Sequence, residues 1–142
     1  MEGTWKCKGN MLATPMGPGH ETAATLKLKR DLGGYWISAS YVGKKTKVDP
    51  KPFLGQDYIT YDGVAKTWNR VMVDGYGGWS TMTSTGWEGD KLVFTGDAMM
   101  PGHKMGLRHT ITKKGPKEVG STWEMSMDKK TFTAFVEETC KK

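Results

Sequence analysis

From Gly3 to Gly9 the chain alternates, with Trp5 and Cys7 on one side and Thr4, Lys6 and Lys8 on the other, as a strand with one buried face requires. The same two-residue period returns from Thr131 to Cys140, where Phe132, Ala134, Val136, Glu138 and Cys140 share a face. Helical periodicity is absent between these ends. Alternating runs rich in Thr, Val, Ile, Trp and Tyr recur instead, punctuated by Gly, Asp-Gly and Pro. They predict ten strands, at 3–10, 22–32, 35–42, 53–61, 67–74, 79–88, 91–98, 105–113, 118–127 and 131–140. Short strands at this spacing indicate an all-β protein. Successive hairpins without a long crossover favour a single up-and-down antiparallel β-barrel of about ten strands, one domain over 1–142. In a closed barrel the first and last strands become neighbours.

Connection lengths then divide the two ends of the barrel. Gly33-Gly34, the turn at 62–66, Gly89-Asp90 and the turn at 114–117 all fall at one end, and all are tight. The other end collects 11–21, 43–52, 74–78, 98–104 and the Asp128-Lys129 turn. Ligands usually enter a barrel by the mouth its loops surround, so this second end is the expected entrance. Parity places Ala24, Leu26 and Leu28 inside, with Leu92, Phe94 and Gly96, Leu107, His109 and Ile111, and Val119, Ser121, Trp123, Met125 and Met127. The third to sixth strands are apolar on both faces, which leaves Trp36, Tyr58, Trp68 and Trp79 unoriented. An outer face that keeps aromatics suggests packing against loops or a second subunit, hence a possible homodimer.

Cys7 and Cys140 lie too far apart in sequence for a CxxC redox pair or a zinc ribbon. They are either two buried thiols or a disulfide between terminal strands; parity, which turns both sulfurs to one face, favours the disulfide. No signal peptide precedes the first strand, and the abrupt start suggests a chain trimmed of one. A disulfide then implies a secreted or periplasmic protein, and free thiols a cytoplasmic one. No apolar run approaches a membrane span. The net charge of +6 comes from 21 basic and 15 acidic residues, and the basic ones are nearly all lysines at turns and strand ends. Nucleic-acid readers lean on arginine stripes with aromatics between, so the pattern fits solubility and edge protection, not nucleic-acid binding.

Several short motifs carry a resemblance. An opening Gly-Thr-Trp strand, Gly-Gly-Tyr-Trp at 33–36, Tyr-Asp-Gly at 61–63 and Gly-Trp-x-Gly-Asp at 86–90 resemble a bacterial calycin-like family, domain of unknown function fifteen seventy-nine. The first strand is also distantly similar to that of nitrobindin, with Cys7 where the middle glycine of Gly-x-Trp-x-Gly-x-Gly falls. The resemblance implies a lipocalin-like barrel and no assigned activity. Nitrobindin-like proteins bind haem through a histidine near the C-terminus; here no histidine follows His109, and the last strand has Glu137, Glu138 and Cys140. No haem ligand carries over, and no cofactor is named by the sequence.

Three readings of the chemistry follow. The first is non-enzymatic binding of a small apolar or aromatic ligand inside the barrel, against Trp5, His109, Trp123, Met125 and Phe132, with Glu138 and Arg70 as polar anchors. Arg70 shares a face with Trp68 and Met72, where a surface position is the safer expectation, and Glu138 is expected to reach water near the strand end. The second is capture of a soft metal such as copper(I) by Met16, His20, Met100 and His103, since both loops end in Pro-Gly-His. The third is a barrel enzyme, an isomerase or cyclase, pairing His109 with Glu138. No Gly-x-Ser-x-Gly elbow or phosphate-binding Gly-rich turn is present.

Overall fold

Burial alternates residue by residue along the chain, most cleanly in Trp79–Ser84, where Ser80, Met82 and Ser84 are buried and their neighbours exposed. The computed structural model describes residues 1–15 and 17–142. It has strands β1 (Gly3–Met11), β2 (His20–Asp31), β3 (Trp36–Gly43), β4 (Leu54–Asp62), β5 (Thr67–Asp74), β6 (Trp79–Ser84), β7 (Trp87–Glu88), β8 (Lys91–Met100), β9 (His103–Gly115), β10 (Glu118–Ser126) and β11 (Thr133–Lys141). Every pairing is antiparallel. The order runs β6-β5-β4-β3-β2-β1-β11-β10-β9-β8, and β6 pairs with β8 to close the ring. This is a closed ten-stranded barrel with β7 as one extra strand, and the terminal strands are adjacent as the alternation requires. Among the described residues no α-helix occurs, and no helix is long and apolar enough to cross a membrane.

Three local features differ from the sequence pattern. The run at 79–88 breaks because Gly86 takes φ 106°, a left-handed conformation that turns Trp87–Glu88 away to pair with β8 alone. The expected loop at 98–104 is a two-residue turn, since alternation continues to Met100 and resumes at His103, which pair across Pro101-Gly102. A bulge between Trp123 and Glu124 shifts the last strand's register, so Phe135 packs into the core. Phe132 falls outside the barrel instead of inside: the Arg108 guanidinium lies 4.3 Å from its ring centre, and Arg108 sits on the outer face, paired with Glu124 at 2.7 and 2.9 Å. Met127 is exposed beyond the strand end.

Closing ten strands demands sharp bends, and two inward glycines supply them. A Cβ on Gly9 would stand 1.9 Å from the Glu137 carbonyl oxygen, and one on Gly96 would stand 2.0 Å from that of Thr81. Both lie at seams, β1 against β11 and β8 against β6, where backbones approach too closely for any side chain.

The interior holds two apolar clusters. One contains Trp5, Cys7, Ala24, Val119 and Cys140; the other contains Met72, Met82, Phe94, Ala98, Met105 and Leu107, with Trp68, Trp123 and Met125 packed against it. Trp68 therefore faces inward, whereas Trp79 is exposed on the outer wall, near Val42, Leu54, Val71 and Val73.

Candidate functional site

Alternation along β9 and β10 sets His109 between Leu107 and Ile111, and Ser121 between Val119 and Trp123, so polar groups fall between the two apolar clusters. Arg70 on β5 reaches them from across the ring. It is 7% exposed, not at the surface, because Trp68 and Met72 on the same face are core residues. Its Nε donates to Asp57 Oδ2 of β4 at 2.5 Å, its Nη2 pairs with the same carboxylate, and its Nη1 donates to His109 Nδ1 at 2.6 Å. His109 stacks on Trp123 with ring centres 3.9 Å apart, and its Nε2 lies 2.8 Å from Ser121 Oγ.

The chemistry of this chain of contacts follows from its donors. A guanidinium can only donate, so His109 Nδ1 accepts and the ring proton resides on Nε2, which donates to Ser121. Activating a serine needs the opposite tautomer. Burial, and then the Arg70 charge, hold the His109 pKa well below its ordinary value, which makes it a poor base as well. Burial likewise pushes the Asp57 carboxyl up against the pull of Arg70. The network is satisfied and closed on itself.

Glu138 does not reach water. It is 7% exposed, accepting from the Tyr41 hydroxyl of β3 and from Thr22 Oγ1 of β2 at 3.3 Å. Burial raises its pKa, and burial plus the neighbouring carboxylate raise that of Tyr41 well above the phenol range. Ser121 is the strand partner of Glu138, yet His109 and Glu138 keep separate partners. Cys7 and Cys140, cross-strand partners with Cα atoms 4.0 Å apart, are joined in a disulfide beside it. Among the described residues, Cys7, Cys140 and Glu138 are the grouping whose donor atoms are close enough for a metal. The sulfurs are bonded to each other and offer no thiolate.

Of the Met/His positions, Met100 and His103 are strand partners, and His20 lies on another part of the ring. His20 begins β2, and the Met100–His103 hairpin joins β8 to β9; β2 and β8 are five strands apart whichever way round the ring one counts. Ten strands spaced about 4.8 Å and tilted about 40° make a ring roughly 20 Å across, too wide for one ion to bridge. His20 Nδ1 donates to the Glu21 carbonyl at 3.0 Å. Met16 lies outside the described residues.

An open cleft lies elsewhere, at the end carrying the tight turns and both termini. It measures about 500 Å³, with Trp5 and Val119 as its floor and Trp87, Pro116, Lys113 and Lys142 around it. Of the residues singled out in the sequence for ligand contact, Trp5 alone borders it; His109, Trp123 and Met125 are engaged in the packed interior. Trp5 is 4% exposed and its indole donates to the Met1 carbonyl at 3.0 Å, whereas Trp87 is 36% exposed and offers its ring to the cleft. Lys113 and Lys142 were legible by counting. Lys113 is two residues past Ile111 and Lys142 two past Cys140, so both keep inward parity at the barrel end. Tyr41 and Asp57 were hidden in strands apolar on both faces.

No family model matches this sequence, and no curated protein does. Among solved structures the chain is similar to the crystal structure of Rv2717c from M. tuberculosis. The TM-score is 0.72 at 13% sequence identity, over 99% of this chain and 91% of that one. At this identity the likeness shows a shared fold alone.

Proposed function

We propose that this barrel is a non-enzymatic binding protein that takes a small apolar or aromatic ligand at the end carrying its termini. The cleft of about 500 Å³ between Trp5, Val119, Trp87 and Pro116 is the observation that carries this reading. Its size suits one small organic molecule. Removing apolar ligand surface from water contributes about 25 cal/mol per Å², before the costs of association. The satisfied Arg70–Asp57–His109–Ser121 network supports binding over catalysis, since the histidine is held in the tautomer that donates to the serine. The disulfide suits a secreted or periplasmic setting.

The test uses N-phenyl-1-naphthylamine, a neutral dye that fluoresces in apolar surroundings. Saturable binding at one site is expected, weakened severalfold by Trp87→Ala with the fold retained. Absence of saturable binding, or binding untouched by Trp87→Ala, would sink the reading.

A further inference from the structure

Two lysines give the same cleft a sign. Lys113 and Lys142 come from β9 and the residue after β11, the two strands that flank β10, and inward parity carries both side chains over the barrel end. Each is held over an indole: Lys113 Nζ is 4.4 Å from the Trp87 ring centre and Lys142 Nζ 5.9 Å from that of Trp5. Neither forms an ion pair with a carboxylate among the described residues, although Lys104, Lys129 and Lys141 all do. A lysine of outward parity would point away from the barrel mouth. Two that lean over an apolar floor, without acidic partners, leave ammonium donors free beside the surface an aromatic ligand would cover.

We propose that the ligand is an aromatic organic acid. Its apolar body would rest on Trp87, Trp5 and Val119, and its carboxylate or other single anionic group would accept hydrogen bonds from Lys113 and Lys142. This deepens the binding function proposed above and rests on it. The cations already stacked on the indoles would turn toward the anion while the ring faces receive the ligand body. Two cations at the opening would also select against neutral ligands of equal shape, since unneutralised ammonium groups lose hydration for no partner.

A matched pair of dyes separates the anionic group from the body. 8-Anilinonaphthalene-1-sulfonate carries the same anilinonaphthalene skeleton as N-phenyl-1-naphthylamine plus one sulfonate. The whole chain should bind the sulfonate roughly tenfold more tightly, the order a charge-assisted hydrogen bond supplies. That advantage should shrink on raising NaCl from 50 to 500 mM and disappear in Lys113→Met/Lys142→Met. The double variant should still bind the neutral dye, which shows that the fold and cleft survive. Lys117→Met, on the turn beyond the cleft, should change neither. Equal affinity for the two dyes in the wild-type protein would overturn the anionic assignment while leaving the binding function intact. Loss of both dyes would remove both. A sulfonate advantage that persists in the double variant would place the anion elsewhere and overturn the inference. So would co-sedimentation with phosphatidylglycerol vesicles through these lysines in place of dye binding, by making the partner a membrane surface.

Discussion

Reducing the Cys7–Cys140 bond should weaken this barrel severely without unfolding it. The bond closes a loop of 133 residues, nearly the whole chain. The loop-entropy relation gives a denatured-state restriction worth about 5 kcal/mol at 25 °C for such a loop. A value of ~3–5 kcal/mol is expected in practice, because strain and residual structure lower the yield. A domain of this size is stable by about 5–15 kcal/mol in total, so the loss is a large share but leaves a folded protein. The ladder from Lys6 opposite Lys141 to Met11 opposite Val136 still joins the terminal strands without the bond. Urea unfolding with and without a phosphine reductant measures the effect while keeping the core volume unchanged. Reductant must be equilibrated through the unfolding transition, since Cys7 and Cys140 are 1% and 3% exposed. Cys7→Ala/Cys140→Ala should match reduction to within about 1 kcal/mol, and the melting point should fall by about 10–20 °C. A difference under ~1 kcal/mol between oxidised and reduced protein would refute the reasoning, because no loop this long can be released so cheaply if the model of a restricted denatured chain holds.

Two further predictions concern the buried network. Arg70→Met strands the Asp57 carboxylate and should cost about 3–5 kcal/mol, whereas Arg70→Met/Asp57→Leu should recover most of it. Additive losses in urea titrations would show that the pair is not coupled. His109 gives a pH signature. The unfolded chain protonates it near 6.5 and the fold only well below that. Stability therefore declines as pH falls beneath 6.5, by up to ~1.4 kcal/mol per pH unit. Glu138 and Asp57 oppose this, since their raised pKa values favour the fold increasingly as pH drops toward 4.5 and 3.8. His109→Gln, which can still accept from Arg70 and donate to Ser121, should show a shallower decline from pH 6.5 to 5; identical slopes would contradict the assignment.

Alternation alone located every strand of the ring and its closing seam, because a half-buried strand cannot hide its two-residue period. Trp5, Cys7, His109 and Trp123 were oriented correctly for that reason. Phe132 was not, since a single inserted residue in the ladder near Trp123 reverses parity from that point, and nothing in the composition of 131–140 marks it. For Arg70 a surface position is the safer expectation, because the parity of its strand is unresolved in the sequence. Its partners, Asp57 and His109, are 13 and 39 residues away, and the strands that carry Arg70 and Asp57 are apolar on both faces, so the pattern does not orient them. Long loops point to an entrance at the other end of the barrel, yet the cleft lies where turns are too short to fold over the opening. Loop length marks where chain can be placed, not where space remains.

The seam between β1 and β11 sets an order of events during biosynthesis. β1 has β11 as its neighbour, so one edge of β1 offers bare amide and carbonyl groups until β11 has been made. The ring can only shut once β11 is available to pair, and that pairing is what sets Cys7 opposite Cys140. A nascent chain stalled a few residues short would expose that edge to other chains, and its aggregation would report the closure step directly.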